Sequence, residues 1–169
     1  MTNAARALLQ RLRPGAHNLF APLVVLIGLP LLAMALVNPF GDFPLNDDWS
    51  YALAVRHFAQ TSEIRLSEWG AMSQVWQVVY AGLWCKVFGF SFTGLRLLTC
   101  LIALVGNLVL YRIFRRVTPD RFFALAGVAL VFFNPFTFVM TLSFMTEVHF
   151  FFWFCLSFLF ALRAFDADR

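Results

Sequence analysis

Charge is scarce in this chain. Only 13% of its 169 residues are Asp, Glu, Lys or Arg, about half the share of a water-soluble domain. Too few charges remain to clothe a soluble surface. No glycine-rich phosphate loop, zinc-ligand spacing, serine triad or internal repeat can be read along it, so nothing points to a nucleotide cradled in a loop. Cysteine is sparse as well: Cys85, Cys100 and Cys155 are odd in number and scattered through apolar sequence. That excludes a disulfide framework and reads as membrane-buried thiols. The net charge of +4 comes from arginines placed beside apolar runs, which is where topology signals sit, and not from a patch for nucleic acid.

What is present is hydrocarbon. Hydrophobic residues make up 61% of the chain, phenylalanine alone occurs 22 times, and the mean hydropathy is +0.76. The expected fold class is all-α integral membrane, with about four transmembrane helices and an external segment containing interfacial helices between the first and second. The spans fall at about 19–37, 94–113, 122–140 and 145–163, with the external segment at 38–93. The first run follows a basic stretch, as a signal peptide does. At about 1.5 Å per residue it is long enough to cross a bilayer, and it reads as a retained signal anchor.

The run "VWQVVYAGLWCKVFGF" at 75–90 is ambiguous, because it is short and carries Gln77 and Lys86. Orientation arbitrates. Arg6, Arg11 and Arg13 place the N-terminus in the cytoplasm. With four spans Arg112, Arg115, Arg116 and Arg121 fall on the same side; a crossing at 75–90 would export them. This run is therefore expected at the outer interface or partly inserted. The carboxylates Asp42, Asp47, Asp48, Glu63, Glu68 and Glu147 then collect on the external face, the arginines mostly on the inner one.

The stretch "NDDWSYALAVRHFAQ" predicts a helix with Asn46 as N-cap and Asp47 and Asp48 in its first turn. Tyr51 follows them by three and four positions and shares their face. Acids there are either helix-dipole partners or a functional pair facing the membrane boundary. Glu147 opens the apolar run "EVHFFFWF", where it either snorkels or does chemistry. His149, two residues on, points roughly 160° away from it, which argues against a shared metal. Arg96, just inside the second span, either snorkels or holds an anionic headgroup or phosphate, with Lys86 a second cation for the same anion. Trp49, Trp69, Trp76 and Trp84 in the external segment suit an interfacial belt.

The stretches "NDDWSYALAVRHFAQTSEI", "VFGFSFTGLRLL" and "NPFTFVMTLSFMTEVHFFFWF", in that order, resemble the GT-C glycosyltransferases of the dolichyl-phosphate-mannose mannosyltransferase-like group, glycosyltransferase family 39. Members often read Asp-Glu where this chain reads Asp47-Asp48, and Asp where it has Glu147. The resemblance extends over nearly the whole chain and about the N-terminal third of a usual member. It implies a sugar donor on a polyprenyl phosphate, an acceptor hydroxyl on the external side and a bacterial inner (plasma) membrane location. A partner chain supplying further spans fits the same picture. The roles it implies are Asp47 as catalytic base, with Asp48 and Glu147 orienting the acceptor or a divalent metal. Arg96 would hold the lipid phosphate, and Glu68 roughly matches an acid of the family's first exported loop; Tyr51 and Lys86, from their own placement, are the further substrate-binding candidates. Some GT-C enzymes use a divalent metal and others none, so no cofactor is assigned.

Two other readings stay open on sequence alone. One is a non-enzymatic four-span protein, either a lipid-carrier translocator or an assembly subunit. The other is a fragment that folds in its spans without activity.

Overall fold

The computed structural model describes residues 20–70 and 75–167. The N-terminal arginines that set the expected orientation, and Arg169, lie outside them. The described residues form helices and connecting loops, without a strand. The helices are α1 (Phe20–Val37), α2 (Asp48–Thr61), α3 (Val75–Phe88), α4 (Phe92–Val117), α5 (Arg121–Phe132), α6 (Pro135–Thr141) and α7 (Thr146–Ala167). Three of them, α1, α4 and α7, are each long and apolar enough to cross a membrane.

The third expected span is not one straight helix. It is the pair α5 and α6, bent by 68°. The cause is local: Pro135 cannot continue the preceding helix, and the Asn134 side chain accepts the Phe136 N–H at 3.0 Å to start a new one.

Packing shows that this bent pair still carries the chain from one end of the bundle to the other. Helix α7 runs parallel to α4. Thr99 meets His149 near their starts, Gly106 faces Phe152, and Arg116 pairs with Asp166 near their ends. Two parallel helices joined by α5–α6 require that connection to return the full distance. Helix α1 is antiparallel to α4: Leu26 joins Val109, Leu110 and Ile113 in one apolar cluster, and Met34 joins Cys100 and Ala103 in another.

Helix α1 carries a π-helical segment, Val24–Gly28, just ahead of Pro30. Pro30 has no N–H for the ladder, Leu29 N–H reaches back to Val24 in a π-turn, and the Leu26 carbonyl receives the Asn107 amide at 3.2 Å. A polar side chain inside a span is thus matched to a carbonyl at the proline break.

The same packing bears on the path of 75–90. Gly41 N–H donates to the Thr93 hydroxyl and Phe92 N–H to Asp42, so the chain leaves α1 and enters α4 at one end. Helix α3 therefore does not carry it across. With 14 residues α3 spans about 21 Å, short of the roughly 30 Å hydrocarbon core. It lies against α2, so closely that a Cβ on Gly82 would meet the Phe58 ring at 2.2 Å. Ala52, Val55, Val78, Ala81, Leu95 and Phe144 form the core under this pair.

Candidate functional site

The end of the bundle formed by residues 38–70, 75–93 and 142–149 carries most of the carboxylates, and its loops are held by buried polar contacts. Arg96 is the centre of them. Expected to snorkel or hold an anion, it is instead 1% exposed. Its Nη1 donates to the carbonyls of Pro39 at 3.1 Å and Gly41 at 2.7 Å, and its Nη2 to that of Phe43. The Phe43 ring covers the guanidinium, 5.2 Å from ring centroid to Cζ. Its Nε lacks a partner but is sealed from solvent, so a lipid phosphate could reach this cation only by opening the loop that encloses it.

The acid pair divides. Asp48 is fully buried. One of its oxygens accepts Leu45 N–H at 2.8 Å and the other Phe144 N–H at 3.3 Å, which ties the start of α2 to the turn before α7. Burial raises its carboxyl above the ordinary carboxylate value, against the pull of those N–H bonds and the Arg96 charge. Asp47 is exposed, at the N-cap position of α2, and its side chain makes no capping bond. Asn46 was expected to be that cap. It adopts a left-handed conformation, φ 55°, and the helix starts one residue later.

The remaining candidates spread around this end. Tyr51 is half-buried against the core under α2 and α3. Glu68 is exposed in the loop after α2, which folds back so that Trp69 meets Trp49 at 6.4 Å between ring centroids. Lys86 is exposed, donates to the Ser62 hydroxyl at 2.7 Å, and rides over the Phe58 ring. Glu147 is half-buried, with one oxygen sealed from solvent and lacking a hydrogen-bond partner. It lines an open cavity of about 340 Å³ between α4, the α5–α6 pair and α7. Among the described residues no group of three or more His, Cys, Asp or Glu side chains is placed to hold a metal ion.

Sequence reading did not find one feature of this end, a buried chain of hydroxyls and imidazole. Thr99 hydroxyl donates to the Leu95 carbonyl at 3.1 Å, so it accepts from His149 Nε2 at 3.1 Å. Nδ1 then accepts from the Tyr80 hydroxyl. Burial pushes that phenol above its usual range, so it remains a donor. The chain joins α3, α4 and α7 through a neutral histidine. His149 faces α3 and α4, and Glu147 faces the cavity, as their two-residue spacing implies. The missed signal was a tyrosine in an apolar helix, whose hydroxyl needs a partner when buried.

A family model described as dolichyl-phosphate-mannose-protein mannosyltransferase matches residues 79–169, more than half of the chain. The chain belongs to this family. No curated protein and no solved structure matches it. The mannosyltransferase-family segment begins within α3 and takes in Lys86, Arg96 and Glu147. Asp47, Asp48, Tyr51 and Glu68 lie ahead of it, and their likeness to the family rests on the sequence resemblance.

Proposed function

We propose that this chain works in a membrane glycosyltransferase that moves a sugar from a polyprenyl phosphate to an acceptor hydroxyl. In this reading the acid-bearing end is external and the N-terminus cytoplasmic, as the arginine placement favours, and the membrane is the bacterial inner membrane. The family membership supports sugar transfer. The observation that assigns a role within it is the division of the acid pair, with Asp48 committed to two backbone N–H groups and Asp47 exposed beside it.

Asp47 is then the general base. It takes the proton of the acceptor hydroxyl as that oxygen bonds to the anomeric carbon and the carbon–oxygen bond to the phosphate breaks. The leaving phosphate carries the electron pair and needs a cation. Lys86 is exposed and suits that role. Arg96 acts one step back, as the positioning residue that holds the 39–43 loop.

Replacing Asp47 by Asn is expected to lower transfer from a polyprenyl-phosphate sugar by about 10²–10⁴-fold, with insertion and helix content unchanged. Unchanged turnover removes Asp47 as the base, and a lipid translocator would be indifferent to the substitution. Cysteine labelling at positions 47 and 118 in intact cells tests the sidedness. Labelling of 118 from outside would overturn it.

A further inference from the structure

We infer that the cavity between α4, the α5–α6 pair and α7 binds a hydrocarbon-chain amphiphile whose head donates a hydrogen bond and carries no negative charge, such as a long-chain alcohol or amine.

Three observations converge on this. The cavity has a volume of about 340 Å³, within the range of ligand sites, and it is graded. Thr137, Thr141 and Glu147 line it on the acid-bearing side, while Gly106 and Phe152 line it where it runs inward along α4. An amphiphile fits that gradient with its head outward and its chain along the spans.

The second observation is the Glu147 carboxyl. Glu147 lines the cavity's polar end, and one of its oxygens has no hydrogen-bond partner and no surface open to solvent, so a ligand's donor would meet it after a turn of the side chain. A buried acceptor left unmade is expensive, and a donor arriving with the ligand would satisfy it. The third is charge. Among the described residues no Lys, Arg or His lines the cavity, so a phosphate there would face a carboxylate with no compensating cation among them. Asn107, at the inner end, already gives its amide to the Leu26 carbonyl.

The inference stands on the cavity and not on the transfer reading. Joined to that reading, it assigns this pocket to a lipid-borne acceptor hydroxyl, separate from the phosphate-bearing donor.

The test uses the whole chain in phosphatidylcholine nanodiscs and a hexadecanol carrying a mid-chain diazirine, with labelled residues mapped by peptide mass spectrometry. Labelling is expected at residues lining the cavity, saturable by plain hexadecanol. Hexadecyl sulfate is expected to compete about tenfold less well, the scale of one charge-assisted hydrogen bond gained or a repulsion added. Glu147→Gln should bring the two competitors within about twofold of each other. Gly106→Leu places a side chain in the cavity beside Phe152, 3.8 Å from a Cβ there, and should reduce cavity labelling whichever competitor is present. This second variant keeps the test decisive if Glu147→Gln inserts poorly. Equal competition by alcohol and sulfate in the unmodified chain overturns the inference. So does a preference that survives Glu147→Gln. Unsaturable labelling that equally marks the lipid-exposed Leu32 and Leu36 of α1 also overturns it, since that is ordinary bilayer contact.

Discussion

The two ends of the bundle carry charge in different ways. At the acid-bearing end Arg96 and Asp48 are buried, and with the exposed Asp42 they hold partners far along the chain. Arg96 binds carbonyls 53 to 57 residues away, Asp42 an N–H 50 residues away and Asp48 one 96 residues away. At the other end the arginines stay local or exposed. Arg115 reaches the carbonyls of Thr118 and Pro119 just beyond its own helix, and Arg116 pairs with Asp166 at 2.5 Å with side chains 32% and 63% exposed. The same residue types organise structure at one end and mark position at the other. Chemistry that needs fixed geometry belongs where the polar groups are pinned.

The largest effect that tests this contrast is expected at Arg96. Arg96→Met leaves the Pro39, Gly41 and Phe43 carbonyls without their donor and opens the loop that leads to the acid pair. We expect a loss of about 3–5 kcal/mol, the range for breaking a buried charged network, read as a lowered unfolding midpoint in detergent. Arg96→Lys should recover only part, because a single ammonium lacks the guanidinium's fork. A midpoint within a degree of the parent would show that the buried network is not what holds this end.

Asp48 comes next. Asp48→Ala strands the Leu45 and Phe144 N–H groups, each a buried donor left unmade, for about 2–4 kcal/mol together. Its pH dependence has a defined sign. Burial raises the folded-state carboxyl above the reference value of 3.8. The protonated form is therefore the one that folding favours. The stability Asp48 contributes on this account is full below 3.8 and falls as pH rises through its elevated folded value. An infrared carbonyl band of protonated Asp48, assigned by its absence in Asp48→Asn, should persist above pH 3.8. Its complete loss by that pH would show the site to be more hydrated than its burial implies.

Spans, helices and the odd-numbered buried cysteines were legible because hydrocarbon length and periodicity are local properties. Arginine bookkeeping along the chain argued against a crossing at 75–90, and the closure of α1 onto α4 at one end of the bundle agrees that α3 does not carry the chain from end to end. The kink at Asn134-Pro135 was written in the sequence too, as a proline preceded by a capping residue inside an apolar run, but length alone counted it as one span. What local pattern could not supply were partners. Arg96 beside an apolar helix reads the same whether it meets a lipid phosphate or three carbonyls from residues 39–43. Asp47 and Asp48 are chemically identical, and only tertiary packing buries one of them. Tyr80, Thr99 and His149 lie in three separate helices, so their chain exists only after the bundle forms.

That chain offers the third test. Tyr80→Phe keeps the ring against α7 and removes the donor to His149 Nδ1. The expected loss is about 1–2 kcal/mol, one buried hydrogen bond with its acceptor left open. The ring-nitrogen NMR shifts of His149 should report the change directly, since Nε2 keeps its bond to Thr99. Unaltered shifts would mean that the phenol and imidazole do not share a proton.

The smallest effect is expected at the opposite end. The Arg116–Asp166 pair is short, yet both side chains reach water. An exposed ion pair gains little over its two hydrated partners and loses more of that as salt screens it. Arg116→Ala should shift stability by at most about 0.5 kcal/mol at low ionic strength, and by less again in high salt. Its visible consequence should be topological, because it removes one of the arginines that flank the α4–α5 turn. Cysteine labelling at position 118 in this variant, set against its unfolding midpoint, separates the two roles. A large loss of stability at Arg116, comparable with that at Arg96, would mean that the arginine end is also built on fixed geometry, and the division between the two ends would fail.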